Sequence, residues 1–506
     1  MPGVHAANRC LWTHVIPAIP GLMNKLLLFV SLFLFLGCSA KDKSPVNPSL
    51  PNILIILVDD LGKEWLSCYG AEDIQTPNID GLAHSGILFH NVYGMPQCTP
   101  SRVTILTGQY PFRHGWVNHW DVPRWGGGAH FDETENPALV QEIKNAGYKT
   151  CVAGKWQIDD FRVEADALLR VGFDAFCMWT GKESGNPLPS GERYHSPYIF
   201  TKEGSRTYEN AFGPDVFKDF ICDFIRSNKD SSMFIYYPMV LTHTPLVNPP
   251  GDSAISNAGK HKAMVKYTDR ITGEIVRTLE EEGIRDHTLI IWTTDNGTTG
   301  KITGSLNGRA VKGGKSATSE AGICLPFIVS WPSIIEPGQA SDALIDFTDI
   351  LPTCLDIIGK EVGGKYTSAE KTHSIDGVSF KQVLMNNENS KREWILGMGG
   401  GNNAKRTEKG VENQYVFRDR VLRNERFKLC VDTQRKASAF YDLLEDPGES
   451  INLIDSINTP LRKVNYDQLH AVIKHFPEKD ADPAYVNNPA REWDIEISAE
   501  SQVWKK

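Results

Sequence analysis

The hydrophobic pattern of the chain is dominated by short, continuous apolar runs separated by amphipathic segments. The first run, residues 53–58, is largely β-branched, and this composition predicts a buried central strand of a parallel sheet. Similar runs at residues 234–237, 289–292 and 327–329 predict further buried strands.

Helical spacing occurs between these runs. Ile271, Ile275 and Leu279 recur every four residues, and Gly283 marks the end of the predicted helix. A second predicted helix covers residues 140–146. The alternation of strands and helices predicts an α/β fold in which helices sandwich a mostly parallel central sheet.

The pattern changes after about residue 393. Three stretches read as the strands of a small antiparallel sheet: residues 420–423, 426–431 and 439–443. The glycine-rich run at residues 397–401 lacks the spacing and the following helix of a dinucleotide-binding loop, so it is interpreted as a flexible loop.

The amino-terminal residues have the pattern of an export signal. Lys25 precedes an apolar run over residues 26–36, and Cys38 follows a small residue. This order resembles a bacterial lipoprotein signal, and the run is too short for a comfortable membrane span. We expect an exported protein, either periplasmic or a lipoprotein anchored to the membrane through Cys38, with an N-terminal membrane anchor as the alternative. The predicted segments are a leader (1–38, true start Met23), a linker (39–50), a main domain (51–392) and a C-terminal subdomain with its tail (393–506).

Charge and cysteine content exclude some classes of function. The net charge is -9, from 53 basic and 62 acidic residues, which argues against a dedicated nucleic-acid binder. The ten cysteines form no CxxC pair, so a zinc site made of cysteines is not expected.

Polar side chains follow two of the predicted strands. Asp59 and Asp60 come directly after the first strand, and Asp295 and Asn296 follow the strand near residues 289–294. Function gathers at the carboxyl ends of strands in open α/β sheets, so these side chains are expected to lie together. Four oxygen ligands suit a hard cation such as Ca²⁺, whereas zinc prefers histidine or cysteine.

The run Cys98-Thr99-Pro100-Ser101-Arg102 carries the most specific chemistry. A turn pattern precedes it, and a helical pattern follows it as far as Gly108. Cys98 is therefore expected at the start of a helix, where free N–H groups and the helix dipole favour an anionic ligand. Arg102 lies one turn further on.

This run, with Leu106-Thr107-Gly108 after it, resembles the cysteine motif of the type I sulfatases of the alkaline-phosphatase superfamily. In that family a maturation enzyme oxidises the cysteine to formylglycine, whose hydrate attacks the sulfate ester. The resemblance implies an alkaline-phosphatase-like fold, formylglycine at position 98 and a calcium site at Asp59, Asp60, Asp295 and Asn296, with position 98 as a further oxygen ligand.

The same resemblance extends to three more residues. Gly154-Lys155-Trp156 and the run from Lys315 to Gly322 are similar to the lysine motifs of the family, which implies that Lys155 and Lys315 contact the sulfate. His243 resembles the histidine near the leaving group. With Cys98 and Arg102, these residues form the expected catalytic set, because cations neutralise the transferring group and a proton donor assists the leaving alcohol.

Gln157 departs from the family pattern, which has a histidine at this position. Glutamine can hydrogen-bond a formylglycine hydroxyl, but it cannot accept the proton. The base is therefore expected to be His243, a carboxylate such as Asp159 or Asp160, or water.

These observations predict an exported, calcium-dependent sulfuric ester hydrolase, matured by a formylglycine-generating enzyme and acting on sulfated carbohydrate or another sulfate ester. The alternative within the superfamily is a phosphonate or phosphate diester hydrolase. A non-catalytic binding protein on the same fold is the alternative from another class, and the intact motif speaks against it.

Overall fold

The computed structural model describes residues 50–117, 129–159, 161, 164–181, 192–360, 362–367, 372–386, 388–399, 404–407, 410–413, 415–482 and 484–485. The leader, Lys25, Cys38, nearly all of the predicted linker and Asp160 lie outside the described residues. No helix in the described part of the chain is both long and apolar enough to span a bilayer.

The strands alternate with helices over most of the chain. In chain order the described strands are β1 (Asn52–Val58), β2 (Ile87–Tyr93), β3 (Ala129–His130), β4 (Lys149–Lys155), β5 (Ala175–Trp179), β6 (Tyr198–Thr201), β7 (Gly204–Thr207), β8 (Met233–Pro238), β9 (Thr288–Thr294), β10 (Thr303–Leu306), β11 (Arg309–Lys312), β12 (Cys324–Ser330), β13 (Gln339–Ser341), β14 (Ile345–Asp346), β15 (Lys365–Thr367), β16 (Thr372–Ser374), β17 (Ile395–Met398), β18 (Ala404–Thr407), β19 (Gly410–Asn413), β20 (Arg420–Arg423), β21 (Phe427–Val431), β22 (Ala437–Asp442) and β23 (Ala484–Tyr485). The described α-helices are α1 (Pro77–His84), α2 (Cys98–Thr107), α3 (Pro111–His114), α4 (Leu139–Asn145), α5 (Ala167–Val171), α6 (Gly213–Asn228), α7 (Asn257–Glu281), α8 (Glu320–Ile323), α9 (Ile350–Ile357), α10 (Lys381–Asn386) and α11 (Pro460–Val472).

The first strand, β1, is buried on both faces. Successive side chains of a strand point to opposite faces, so Ile53, Ile55 and Leu57 pack with α2, α4 and α9, while the alternate residues pack with α1, α6 and α7. Burying a side chain of this size stabilises the fold by about 1.5–3 kcal/mol. The continuous apolar run follows from this two-sided burial, and the predicted sandwich of helices around a sheet is confirmed.

The central sheet is mostly parallel. Within the described residues its strands follow the order β13-β2-β12-β9-β1-β8-β4-β5-β6-β7, with β14 also paired to β2. Strands β9, β1, β8 and β4 are parallel neighbours, whereas β12 is antiparallel to both β9 and β2. Between β9 and β12 the chain forms the β10–β11 hairpin and the short α8, without a long crossover helix. The chain therefore enters β12 at the same end of the sheet at which it left β9. For this reason β12 runs antiparallel to β9.

The two predicted helices and the helix after Cys98 are present. The helix predicted at Ile271 to Leu279 is α7, which begins earlier than its apolar spacing indicated because Ser256 caps it by accepting from the amide of Gly259. The helix after Cys98 ends at Gly108, whose φ of 65° is the left-handed conformation that glycine adopts most readily.

The C-terminal strands form a separate antiparallel sheet in the order β17-β20-β21-β22. The strand predicted over 420–423 is β20, and α11 packs on this sheet. The interpretation of 397–401 as a loop is wrong for Gly397 and Met398, which lie in β17 and pair with β20. A β-carbon at Gly397 would lie 2.8 Å from Cδ1 of Ile323, so close packing explains this glycine.

Candidate active site

Four neighbouring parallel strands, in the order β9-β1-β8-β4, end at one edge of the central sheet. Each strand end or the loop after it supplies predicted site residues: Asp295 and Asn296 after β9, Asp59 and Asp60 after β1, His243 after β8, and Lys155 as the last residue of β4. This edge is where open α/β sheets bind ligands. The alternation of strands therefore brings together residues that are far apart in sequence.

Lysines from two segments contact the aspartates after β1. Lys155 Nζ lies 2.7 Å from Oδ2 of Asp59, and Lys315 Nζ lies 2.7 Å from Oδ2 of Asp60. Asn296 donates from Nδ2 to Oδ1 of Asp60 at 2.8 Å. Burial pushes the pKa of Asp59 upward, but Lys155 and the other nearby cations outweigh burial and hold that pKa below its usual range. Asp59 is therefore a carboxylate in the folded protein.

The buried oxygens at this edge fit a hard cation. Asp59, Asp60, Asp295 and Asn296 are at most 2% exposed, and Oδ1 of Asp59 and Oδ1 of Asn296 have no hydrogen-bond partner among the described residues. Burial raises the pKa of Asp60, and it raises that of Asp295 to about 7. Oxygens of Asp59 and Asp295 also lie within 4.8 Å of Sγ of Cys98. Burial keeps the pKa values of Asp60 and Asp295 raised despite the nearby lysines and Arg102, so a cation coordinated by these oxygens would stabilise their charged forms.

Cys98 is the first residue of α2, as the sequence predicted. It is 2% exposed, and its Sγ donates to Oε1 of Gln157 at 3.2 Å. Ser101 donates from Oγ to the carbonyl oxygen of Asp295 at 2.5 Å. Arg102 donates from Nη2 to Oδ2 of Asp295 at 2.6 Å. The serine and the arginine of the motif thus attach the start of α2 to the end of β9.

A tightly packed loop carries Lys315. The backbone amide of Lys315 donates to the carbonyl oxygen of Thr298 at 3.0 Å, and this bond joins the Lys315 loop to the loop after β9. A β-carbon at Gly313 would lie 2.3 Å from the carbonyl oxygen of Thr299, so only glycine allows these two loops to approach so closely. The loop geometry therefore places the Lys315 side chain against Asp60.

His243 lies beside the same aspartate. Its Nε2 is 3.8 Å from Oδ2 of Asp60, and its Nδ1 is 2.6 Å from the carbonyl oxygen of Thr244. Burial and the neighbouring Lys315 hold the pKa of His243 well below its usual value. The side chains of His243 and Lys315 are 17% and 18% exposed, so both can meet a ligand that enters from solvent.

Comparison with protein families agrees with the motifs. A sulfatase family model matches residues 51–360, and a model of the N-sulphoglucosamine sulphohydrolase C-terminal region matches residues 315–476. The first match covers more than half of the chain. The chain belongs to the sulfatase family. It is therefore a sulfatase, a hydrolase of sulfate esters.

Two named sulfatases show how far the similarity extends. This sulfatase is 26% identical over 512 residues to the N-acetylgalactosamine-6-O-sulfatase of Bacteroides thetaiotaomicron, and the match covers 87% of this chain and 95% of that enzyme. It is 29% identical over 362 residues to the N-acetylgalactosamine-6-sulfatase of Homo sapiens, covering 67% of this chain and 66% of that enzyme.

Solved structures share the fold at lower sequence identity. The crystal structure of Ps i-CgsB in complex with k-i-k-neocarrahexaose has a TM-score of 0.68 and 22% identity, covering 86% of this sulfatase and 95% of that chain. The phosphonate monoester hydrolase of Agrobacterium radiobacter has a TM-score of 0.60 and 17% identity, covering 84% and 95%. These similarities confirm the predicted alkaline-phosphatase-like fold.

Asp159 is one of the predicted proton acceptors of this sulfatase, and both of its carboxylate oxygens accept hydrogen bonds from neighbouring residues. Its Oδ1 accepts from the amide of Phe131 at 2.8 Å, and its Oδ2 accepts from Nε1 of Trp156 at 2.7 Å. The carboxylate is 6% exposed. Both oxygens are thus engaged in holding β4 and its neighbours together, which disfavours Asp159 as the base.

Two residues that contact His243 were not predicted from the sequence. Arg193 Nη2 lies 3.1 Å from Nδ1 of His243, and Tyr194 donates from Oη to the carbonyl oxygen of His243 at 2.5 Å. They precede His243 by about fifty residues, in a segment without a recognisable motif. Only the pairing of the strands brings this segment to the site.

Proposed function

We propose that this sulfatase removes sulfate from sulfated carbohydrate by means of formylglycine at position 98 and a calcium ion. The observation that carries the proposal is the position of Cys98, at the buried start of α2 and within 4.8 Å of carboxylate oxygens from two strand ends. The carbohydrate class is supported by the two relatives, both named for N-acetylgalactosamine 6-sulfate.

The proposed calcium ligands are Asp59, Asp60, Asp295 and Asn296, with an oxygen at position 98 in addition. All of these donors are oxygens, which Ca²⁺ prefers and Zn²⁺ does not. Bound calcium would supply positive charge to the sulfate oxygens. The partnerless oxygens of Asp59 and Asn296 support this assignment.

The proposed first step transfers the sulfuryl group to position 98. One hydroxyl of the hydrated aldehyde loses its proton to water as its oxygen forms a bond to sulfur, and the S–O bond to the sugar oxygen breaks. Lys155 and Lys315 neutralise the charge on the transferring group. His243 gives a proton from Nε2 to the leaving oxygen, since an anionic sulfate ester beside this nitrogen favours its protonation.

The proposed second step releases sulfate. The other hydroxyl on the same carbon loses its proton, the C–O bond to sulfate breaks, and the aldehyde forms again. His243 accepts the proton, because the first step leaves Nε2 deprotonated and because the oxygens of Asp159 are engaged. Gln157 orients the hydroxyl through Oε1.

Maturation and location complete the proposal. Cys98 is 2% exposed in the folded protein, so the formylglycine-generating enzyme must act before folding buries it. The leader pattern supports an exported sulfatase that is periplasmic or anchored by lipid on Cys38.

The test uses the full chain produced together with a formylglycine-generating enzyme. We expect sulfate release from 6-sulfated N-acetylgalactosamine and from an aryl sulfate, and no release from the matched Cys98→Ala variant. An aryl phosphonate ester is assayed in parallel. Faster hydrolysis of the phosphonate than of every sulfate ester would instead support the phosphonate or phosphate diester hydrolase.

A further inference from the structure

Two consecutive residues ahead of β6 hold His243 from two directions. Arg193 reaches the ring, with Nη2 3.1 Å from Nδ1, and the same nitrogen donates to the carbonyl oxygen of Thr244. Tyr194 reaches the backbone, with Oη 2.5 Å from the carbonyl oxygen of His243 and 2.8 Å from that of Val240, so its single hydrogen is shared between these two acceptors. Side chain and backbone of His243 are therefore both restrained by this one segment.

The contacts on Nδ1 determine which ring nitrogen faces the ligand. The carbonyl oxygen of Thr244 lies 2.6 Å from Nδ1 and accepts from Nη2 of Arg193. A carbonyl oxygen only accepts, so the tautomer that fits this contact has its hydrogen on Nδ1, and the 3.1 Å approach of Nη2 to Nδ1 follows from the acceptor that both nitrogens share. Arg193 donates to the same oxygen and keeps it beside the ring. Nε2 is left on the side of Asp60, at 3.8 Å from its Oδ2.

The guanidinium of Arg193 is held in an unusual environment. Arg193 is 7% exposed, and its Cζ lies 4.4 Å from the centre of the Trp179 ring. Nε and Nη1 have no hydrogen-bond partner within the described part of the chain, although an arginine usually uses several of its donors when it is buried. Stacking on Trp179 fixes the plane of the guanidinium. A buried cation that is only partly satisfied is costly, and the contact it makes with His243 gives a reason for keeping it.

We infer that Arg193 and Tyr194 are positioning residues, which hold His243 with Nδ1 bonded to Thr244 and Nε2 presented to the leaving oxygen. The inference rests on the proposed role of His243 as the proton donor. The inference assigns a role at the site to a segment that no sequence motif indicates. It also gives a physical reason for the orientation of the partly exposed His243 ring.

The kinetic test compares substrates with different leaving groups. Arg193→Gln should lower kcat for a sugar sulfate about 30-fold with KM within about twofold, since proton donation acts only in the transition state. The same variant should lower kcat less than about threefold for an aryl sulfate with an acidic phenol, which leaves without a proton. Arg193→Lys should recover part of the loss. Arg206→Gln is the matched control, because Arg206 is an exposed residue of β7 that stacks on the ring of Tyr208, and the variant should change neither rate.

A double variant separates positioning from a general loss of structure. If Arg193 acts through His243, the variant carrying Arg193→Gln and His243→Ala should be no slower on the sugar sulfate than His243→Ala alone. Multiplied losses in the double variant, or equal losses on both substrates in Arg193→Gln, would overturn the inference.

A second readout does not depend on turnover. In protein labelled with ¹⁵N-histidine, the ring signals of His243, assigned by their absence in His243→Ala, should show hydrogen on Nδ1 in the wild type. Arg193→Gln should shift them towards a mixture of both tautomers, and unchanged signals would refute the positioning role. If the wild type hydrolyses no sulfate ester, the proposed function fails, but the ring signals still decide whether Arg193 orients His243.

Discussion

The guanidinium of Arg102 donates from Nη2 to Oδ2 of Asp295 at 2.6 Å, although the two residues are 193 positions apart. Both side chains are at most 1% exposed, so water does not reach the ion pair. Arg102 lies one turn into the helix that begins at Cys98, and Asp295 follows β9. The pair therefore fixes Cys98 relative to the strand ends that carry the proposed calcium ligands.

Arg102→Ala should show whether bound calcium, like Arg102, stabilises the buried charge of Asp295. Loss of the arginine leaves a buried aspartate without its partner, which costs about 3–5 kcal/mol of unfolding free energy. We expect this loss by urea denaturation of calcium-depleted protein, and a smaller loss with calcium, because the ion also compensates Asp295. Arg226→Ala, at an exposed pair with Asp223, should change stability by less than about 0.5 kcal/mol. Equal losses with and without calcium would contradict the placement of Asp295 at the metal.

Peptide mass spectrometry should detect formylglycine at position 98. Protein made with the maturation enzyme should lose the sulfur of Cys98 and gain an aldehyde, whereas protein exposed to the enzyme only after folding should keep its thiol. The reason is burial, since Cys98 is 2% exposed. Cys222, also buried, should stay unmodified in both samples. Full activity of protein with an intact Cys98 thiol would refute the formylglycine mechanism.

Chelation should remove activity and lower the thermal midpoint. A ligand at one hundred times its Kd stabilises the folded state by about 2.7 kcal/mol, and this contribution disappears with the ion. Added calcium should restore both properties better than zinc, and Asp59→Asn should weaken the response. Asp346→Asn is the matched control, because Asp346 is also buried with an oxygen that has no partner among the described residues, but it lies outside the site. Active enzyme without any bound divalent ion would exclude the calcium assignment.

The sequence predicted those parts of the site that local pattern encodes. Asp59 and Asp60 directly follow a run that reads as a buried strand, and Cys98 sits where a helix begins, so strand ends and helix start could be placed without tertiary information. The sheet then brings these positions to one edge. The same reasoning from strand ends predicted the positions of Asp295 and Asn296 directly after β9.

Contacts that depend on tertiary packing could not be predicted. Arg193 meets His243 only because β6 and β8 belong to the same sheet, and nothing in its neighbours along the chain indicates that contact. Gly397 was interpreted as part of a loop because of its composition, whereas it lies in a strand where Ile323 approaches closely. In both cases the decisive partner is distant in sequence.

Lys428 in β21 should be important for attaching the C-terminal sheet to α8. Its Nζ lies 2.6 Å from Oε1 of Glu449 and 3.2 Å from Oε1 of Glu320, and Lys428 is 1% exposed. Lys428→Met removes the cation that two largely buried carboxylates share, although Arg423 remains 3.9 Å from Glu320, so we expect a loss of about 3 kcal/mol in urea denaturation at neutral pH. Lys436→Met, at an exposed position of the same subdomain, should change stability by less than about 0.5 kcal/mol.

The loss caused by Lys428→Met should depend on pH. Burial pushes the pKa of Glu320 upward, but Lys428 and Arg423 outweigh burial and hold it below its ordinary value of 4.5. A carboxyl group with a lowered pKa in the folded state stabilises the protein above the ordinary value, and this stabilisation is lost as the pH falls through the lowered value. The difference in unfolding free energy between wild type and variant should therefore shrink below pH 4.5. A difference that stays constant with pH would show that Lys428 acts through packing alone.

The last prediction separates the roles of Gln157 and His243. Gln157 accepts from Sγ of Cys98 at 3.2 Å in the unmodified chain, and this position suits a hydrogen bond to a formylglycine hydroxyl. Such a bond is worth about 1 kcal/mol net, so Gln157→Ala should slow turnover about tenfold or less. His243→Ala removes the proposed proton donor and should cost about a hundredfold or more on a sugar sulfate.

The loss in His243→Ala should shrink for aryl sulfates, because an acidic phenol leaves without protonation, while the loss in Gln157→Ala should be similar for both substrates. Parallel kcat measurements of both variants on both substrate types decide the matter. A larger loss in Gln157→Ala, or an equal loss of His243→Ala on aryl and sugar sulfates, would mean that another group protonates the leaving oxygen. His243 would then serve only to bind the sulfate beside Lys315.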